Sequence, residues 1–323
     1  MVYPLVFYII ESEMKNDSDN YLRGNRAINL ALEEELLHTE HTGTWLYLWQ
    51  NKDTVVVGRN QNPYRECNIE YLHQNNICAV RRLSGGGAVF HDMGNLNYTF
   101  LSRDTEYDVQ KQNSVIIEAI KRLGINAYCS GRNDILIHGK KFSGQAYYSE
   151  NGYIYQHGTI MVDVNLEKMV QALMPSKLKL QAHGISSVKS RVLNLRSVCP
   201  EITVEAVKRS LKDSFCKTYG NAELVYRDKD TADMELLKKY RSDAWNLGES
   251  PAYSAYMDIA VQNNIFRVEA FVEHGIISAM TLYSDTLHSN LDLKEIGQKM
   301  TGCPFEQNAV EKRLKISLEA VLI

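Results

Sequence analysis

The stretch from Arg81 to Phe100, RRLSGGGAVFHDMGNLNYTF, collects the parts that anion chemistry needs. Gly85, Gly86 and Gly87 have no Cβ atoms, and glycine can visit backbone conformations closed to other residues, so a ligand can approach bare N–H groups. Successive N–H groups in a tight turn form an anion-binding concavity. Arg82 adds a guanidinium fork suited to a phosphate or a carboxylate. The same run also describes an ordinary hairpin turn beside two solvated arginines, and by itself it does not choose between the two.

A second segment, SGRNDILIHGKKFSGQAYY from Ser130 to Tyr148, supplies further polar groups. Asp134 to Ile137 is a short β-branched core, and His138-Gly139 reads as the turn of a hairpin. The returning strand opens on Lys140-Lys141. Neighbours on a strand point to opposite faces, so only one of these lysines can look into a site, and both can equally be solvated edge charges. Asn133 can donate its amide to an oxygen or open an Asx turn. Asp134 can hold Mg²⁺ beside phosphates, because Mg²⁺ takes one or two carboxylates plus phosphate oxygens. Asp92 is a second candidate for that role. His91 and His157 are either phosphate-orienting or basic groups, or satisfied structural histidines.

These residues need elements to hold them. The spacing of Ile28, Ala31, Leu32 and Glu35 predicts a helix from Ala27 to about Leu37. Strands are expected at Trp45–Trp49, at Thr54–Gly58 and, after the Glu150-Asn151-Gly152 turn signal, at Gln156–Val164. Val115–Leu123 reads as an amphipathic helix stopped by Gly124, and another helix follows Thr203 as N-cap, with Val207, Leu211 and Phe215 on one face. Strands dominate 45 to 165 with helices on either side, which predicts an α+β domain. After Pro251 the pattern restarts with a hairpin, Ile265–Glu273 and Ile276–Leu282, and two helices at about 291–301 and 306–320. The expected domains are therefore 1–247 and 252–323, the second small enough to need docking on the first.

Together the two segments resemble the lipoate–protein ligase family, in its bacterial single-chain form. The resemblance rests on RRxSGGGAVxHDxGN and the GRNDxxx…KKxSGxA pairing. It extends to INLALEEELL (Ile28–Leu37), LWQNKDTVVVGRNQNPYREC (Leu48–Cys67), HGTIMV (His157–Val162), HGISSVKSRVLNL (His183–Leu195) and AWNLGESPAYS (Ala244–Ser254). It implies a large mixed-sheet domain of the biotin/lipoate ligase type with a small α+β C-terminal accessory domain. It also implies an activity: lipoate is activated with ATP to lipoyl-adenylate and pyrophosphate, then transferred to a carrier lysine as an amide. The expected cofactors are ATP and Mg²⁺. The expected partners are lipoyl domains of 2-oxoacid dehydrogenase E2 subunits and the glycine-cleavage H protein.

Residue by residue, the resemblance makes Lys141 the essential lysine and places Arg82, Gly85, Gly86, Gly87, Ala88, Val89, Phe90 and Asn133 with it at the nucleotide. Lipoate, a short acid ending in a dithiolane, calls for a narrow apolar slot with one polar mouth. The resemblance builds that slot from Trp49, Arg82, Ser84, Gly87, His91, Lys141 and His157. His183–Leu195 is expected to close over the adenylate with Ser186, Ser187, Lys189 and Arg191, and Ala244–Ser254 to act as a hinge. A carrier amine with a pKa near 10.4 is neutral only about once in two thousand at pH 7, and the sequence names no base for it. The alternative is an octanoyl or lipoyl transferase of the same fold that dispenses with ATP and uses Cys129. A binding module that keeps the fold without turnover is a third reading, against which Lys141 and Arg82 argue. Biotin ligation is disfavoured by SGGG in place of an Arg-Gly-alternating loop.

Composition sets the outer bounds. The 323 residues are 44% hydrophobic and 23% charged, with 36 basic and 39 acidic side chains for a net charge of −3. This is ordinary for a globular protein and gives no basic excess for nucleic acid. No apolar stretch approaches the twenty residues of a membrane span, and Leu5–Ile10 lacks a basic leader and a cleavage site. It reads as a first strand, and the expected location is cytoplasmic. Cys67, Cys78, Cys129, Cys199, Cys216 and Cys303 are scattered without a CxxC, which argues against zinc or a disulfide scaffold.

Overall fold

The computed structural model of the chain describes residues 7–12, 27–131, 133–173, 191–227, 232–249, 252–261, 264–284, 292–305 and 307–322. Local chemistry starts and stops its elements. Thr203 caps the helix Val204–Tyr219 by accepting the Ala206 N–H, and Asn62, Asn68, Asp108 and Asn165 do the same for shorter or longer helices. The Asp108 cap begins the expected Val115 helix earlier, at Val109–Arg122, with Gly124 in the left-handed region behind it. His138 and Gly139 both have positive φ, as do Asn151 and Gly152, so both hairpins close through left-handed turns.

The strands of the first unit are β1 (Tyr8–Ser12), β2 (Trp45–Trp49), β3 (Thr54–Val57), β4 (Cys78–Arg81), β5 (Val89–His91), β6 (Asn95–Arg103), β7 (Tyr128–Ser130), β8 (Asp134–Ile137), β9 (Lys140–Glu150), β10 (Tyr153–Met161) and β11 (Glu223–Arg227). Eight of them form one mixed sheet in the order β11-β1-β2-β6-β10-β9-β8-β7, with β1 parallel to both neighbours and β2, β6, β10, β9 and β8 running antiparallel. One face is covered by the helices Val109–Arg122 and Val204–Tyr219, and Leu46, Leu48, Tyr98, Phe100, Val115, Ile120, Leu211 and Phe215 form the core between them. A small sheet, β4-β3-β5, packs with helices Ile69–Gln74 and Leu166–Ala172 around a second core containing Val55, Val57, Leu72 and Phe90. Its β4–β5 connection is the triple-glycine segment. The fold is the expected α+β class.

Compact units divide between Ser242 and Asp243. The second unit carries β12 (Tyr253–Val261), β13 (Asn264–Glu273) and β14 (Ile276–Ser284) in one antiparallel sheet, followed by helices Leu293–Lys299 and Gln307–Leu322. The hairpin and both helices match the sequence reading, and β12 is the strand it missed. Among the described residues no helix is long and apolar enough to cross a membrane.

Candidate functional site

Two consecutive arginines leave β4 and serve two loops. Arg81 is fully buried and donates through one terminal nitrogen to the carbonyls of Gly58, Arg59 and Gln61. Arg82 donates from Nε to Ser84 Oγ at 2.9 Å. Its terminal nitrogens reach the Gly85 carbonyl at 2.7 Å, Gly87 at 2.9 Å and Val56 at 3.2 Å. Burial, the largest cause, lowers its pKa to about 10, still a cation. The expected free fork is thus corrected: Arg82 lines the cavity, but its donors clamp the turn's carbonyls. A buried guanidinium needs acceptors, and these are the nearest.

The clamp shapes the turn. Gly86 takes φ +90°, and a Cβ added at Gly58 would collide with the Gly86 carbonyl, so the two loops meet backbone to backbone. At Gly85 and Gly87 an added Cβ would meet nothing, which leaves open space before their peptide groups. With the carbonyls held by Arg82, the turn presents its other edge outward.

Gly86, Gly87, Ala88, Val89 and His91 line a cavity of about 250 Å³ together with Trp49, Arg82, Asn133, Asp134, Lys141 and His157. Leu30, Val56, Asn97, Gly144, Gln145, Ala146, Gly158 and Thr159 complete the wall. The volume falls just under the roughly 300 Å³ at which ligand cavities begin. Trp49, His91 and His157 are buried parts of its wall, whereas Lys141 is half exposed. Three expected residues do not line it. Phe90 packs into the second core because alternation along β5 turns Val89 and His91 one way and Phe90 the other. Ser84 is fully buried behind the wall and holds Arg82 and His157. Gly85 contributes only the carbonyl that Arg82 takes.

Lys141 reaches the cavity through an irregularity. In the β8–β9 ladder Ile135 pairs with Ser143 but Leu136 pairs with Lys141, so Phe142 is an extra residue. This bulge returns Lys141 to the face that carries Asp134 and Gly144. Its Nζ lies 2.8 Å from Asp134 Oδ1, and a Cβ on Gly144 would sit 2.7 Å from both Cε and Nζ. Lys140 is exposed beside the turn. Gly144→Ala should therefore displace the ammonium while the sheet survives. We expect a loss of about tenfold or more in turnover with an unchanged melting temperature, read by parallel rate and melting measurements. Wild-type turnover in that variant would contradict the placement.

Asp134 is the one carboxylate among the described residues that line the cavity. That donor set fits Mg²⁺ only in its phosphate-bridging mode, with one carboxylate and the remaining ligands from substrate and water. Asp92 is elsewhere engaged: its two oxygens accept the N–H groups of Gly94 and Asn165 at 2.8 Å each, and its metal candidacy is dropped.

Neither histidine is a free base. His157 Nδ1 is 2.9 Å from Glu33 Oε1 and its Nε2 2.7 Å from Ser84 Oγ. His91 is buried edge-on to Trp49, and burial, helped by the nearby Arg82, holds its pKa near 3. The unfolded imidazole titrates near 6.5, so the unfolded chain binds that proton more readily. The resulting stability is complete above pH 6.5 and is lost as pH falls from 6.5 toward 3, by about 1.4 kcal/mol per unit. His91→Gln should flatten this decline between pH 7 and 5 in urea unfolding; an identical decline would rule the assignment out.

Glu33 was missed by the sequence reading. Its Oε1 accepts from His157 and, at 2.6 Å, from Thr99 Oγ1, which in turn accepts the Trp49 indole N–H at 3.0 Å. A signal existed. Successive helical residues are about 100° apart, and the helix Ile28–His38 is apolar nearly all round, so Glu33-Glu34-Glu35 cannot all face water. Glu34 pairs with Lys239, and Glu35 accepts the Asp233 N–H.

Arg132, and Gly184, Ser186, Ser187 and Lys189 of the expected closing loop, lie outside the described residues. The segment that follows is anchored at the site: Val192 bridges to Lys141, whose carbonyl accepts the Leu193 N–H at 2.9 Å. Cys129 sits exposed on β7, is absent from the cavity wall, and has its pKa raised by partial burial.

Comparison with known proteins gives the setting. The family model for the lipoyl protein ligase A/B catalytic domain matches residues 25–216, and that for the bacterial lipoate protein ligase C-terminus matches 250–322. Among solved structures, LipL1 of P. falciparum in complex with lipoate is 25% identical, with a TM-score of 0.63 over 95% of this chain and 93% of that one. A bipartite lipoate protein ligase from Thermoplasma acidophilum, described with its E2 lipoyl domain, is 22% identical, with a TM-score of 0.65 over 77% and 98%. A lipoate-protein ligase A bound with ATP is 21% identical, with a TM-score of 0.62 over 76% and 100%.

Proposed function

The chain belongs to the lipoate–protein ligase family of enzymes, and from that premise we propose that it activates lipoate with ATP and transfers the lipoyl group to a carrier lysine in the cytoplasm. The observation that carries this reading is the convergence of the Lys141 ammonium, the Gly86–Ala88 turn and the buried Trp49 on one cavity. Among the similar structures, LipL1 is in complex with lipoate and the lipoate-protein ligase A is bound with ATP.

In the first step a carboxylate oxygen of lipoate attacks the α-phosphorus, and the bond to pyrophosphate breaks. Charge moves onto the α-phosphate as it does so, and donors fixed beforehand stabilise that charge without reorganising. The turn offers N–H groups and Lys141 an ammonium on a flexible stem, able to bridge the acyl carbonyl and the phosphate. Asn133, beside Asp134 on the same wall, adds an amide donor. Asp134 would hold Mg²⁺, which supplies charge neutralisation between the phosphates. In the second step the carrier amine attacks the acyl carbon, AMP leaves, and the amine proton passes to solvent or to the departing phosphate. An acyl-phosphate has to be kept from water, the role expected of His183–Leu195, and the Val192 bridge to Lys141 supports that role.

Carriers are lipoyl domains of E2 subunits or the glycine-cleavage H protein. Incubation with lipoate, ATP and Mg²⁺ should release pyrophosphate, and mass spectrometry of each carrier should find one lipoylated lysine. ATP-independent acyl transfer abolished by Cys129→Ser would replace this reading with the transferase, for which the position of Cys129 gives no support.

A further inference from the structure

We propose that Glu33 is a positioning residue that couples occupancy of the acyl slot to the geometry of the triple-glycine turn; the proposal rests on the functional reading above. Two hydrogen-bond chains meet on one carboxylate oxygen, each starting from a group that can only donate. The Trp49 indole N–H can only donate, and it donates to Thr99 Oγ1 at 3.0 Å. The Thr99 hydroxyl then passes its own hydrogen to Glu33 Oε1 at 2.6 Å. From the other side the Arg82 Nε–H can only donate, and it donates to Ser84 Oγ at 2.9 Å. Ser84 Oγ lies 2.7 Å from His157 Nε2, and the Nδ1–H of that ring meets the same Glu33 oxygen at 2.9 Å.

Every link is buried: Thr99 and Ser84 have no exposure, and Glu33, Trp49, Arg82 and His157 have at most 7%. Water cannot stand in for a missing partner at such depth, so a shift at one end is felt at the other. The two ends are the two halves of the reaction. Trp49 is a buried part of the cavity wall against which an acyl chain would pack, while Arg82 clamps the carbonyls of Gly85 and Gly87 that shape the turn. A donor-only group stands at each end, and Glu33 is the only member of the network that solely accepts. Without it, the Thr99 hydroxyl and the His157 N–H would point at each other across an empty site. An acyl chain packed on Trp49 thereby stiffens the network that holds the turn for the nucleotide, and by reciprocity the nucleotide favours the acid.

Calorimetric titration of the full chain with α,β-methylene-ATP, alone and with saturating lipoate, measures the coupling as a ratio of dissociation constants. That ratio is taken on folded protein, so simple destabilisation leaves it unmoved. The wild-type chain should bind the nucleotide at least about fivefold more tightly with lipoate present. Glu33→Leu should bring the ratio below about twofold, whereas Glu33→Gln, which keeps an oxygen acceptor in place, should retain most of it. Thr99→Val cuts only the Trp49 arm, and should abolish coupling while nucleotide alone binds as in the wild type. It decides the matter if the leucine variant does not fold. Independent binding in the wild type, or undiminished coupling in Thr99→Val, overturns the proposal while leaving the functional reading intact. Failure of either ligand to bind the wild-type chain defeats the functional reading itself.

Discussion

Lys141→Ala should abolish lipoyl-adenylate formation in a protein that remains folded. The ammonium is the one lysine cation on the described cavity wall, and the bulge at Phe142 aims it there. A single preorganised donor to a developing oxyanion is worth roughly a hundredfold to a thousandfold in rate. A full charge that contacts both acyl and phosphate oxygens belongs at or beyond the upper end. Folding has little stake in it. The Lys141–Asp134 pair is about 40% exposed on each side, and exposed pairs contribute at most about 1 kcal/mol. Pyrophosphate release should fall at least about a thousandfold while the melting temperature moves by no more than a few degrees. Lys140→Ala is the control, because Lys140 is exposed beside the hairpin turn, and should change the rate by less than about twofold. Equal losses from both substitutions would show that the bulge does not sort the two lysines.

Arg82→Lys should damage stability and rate together, for a reason other than lost phosphate contact. The guanidinium satisfies Ser84 Oγ and the carbonyls of Val56, Gly85 and Gly87 in four directions from one plane. An ammonium on a shorter stem cannot span them. Ser84 Oγ and the Val56 carbonyl are the buried acceptors, and each left without a donor costs about 1–3 kcal/mol, so a loss of about 2 kcal/mol in urea unfolding is the expected minimum. The turn would relax as well, and misplacing donors by about 1 Å costs roughly a hundredfold in rate. A variant with wild-type stability and a reduced rate alone would restore the direct phosphate role for Arg82.

Much of this architecture was legible in the chain. The α+β class, the Thr203 cap and both left-handed hairpin turns lie in short stretches whose backbone preferences depend on neighbouring residues alone. The cavity's two principal walls were also readable, because the triple-glycine segment and the Lys141 strand are each contiguous. What escaped was set by distant contacts. β12, Tyr253–Val261, begins just after the Pro251 break, and no strand was read there because the hairpin was expected to start at Ile265. Glu33 and His157 are 124 residues apart, and nothing local marks them as partners.

The order of residues by itself therefore determined which groups were on hand: a bare-backbone turn, a strand lysine, an indole and their flanking turns. Only the tertiary structure decided where those groups point. One extra residue in β9 turned Lys141 to the face of Asp134 and Gly144, burial turned the donors of Arg82 inward onto carbonyls, and alternation along β5 sent Phe90 to the core. The physical reason is that backbone torsions answer to near neighbours, whereas strand register and the pairing of buried polar groups answer to whatever the fold brings alongside.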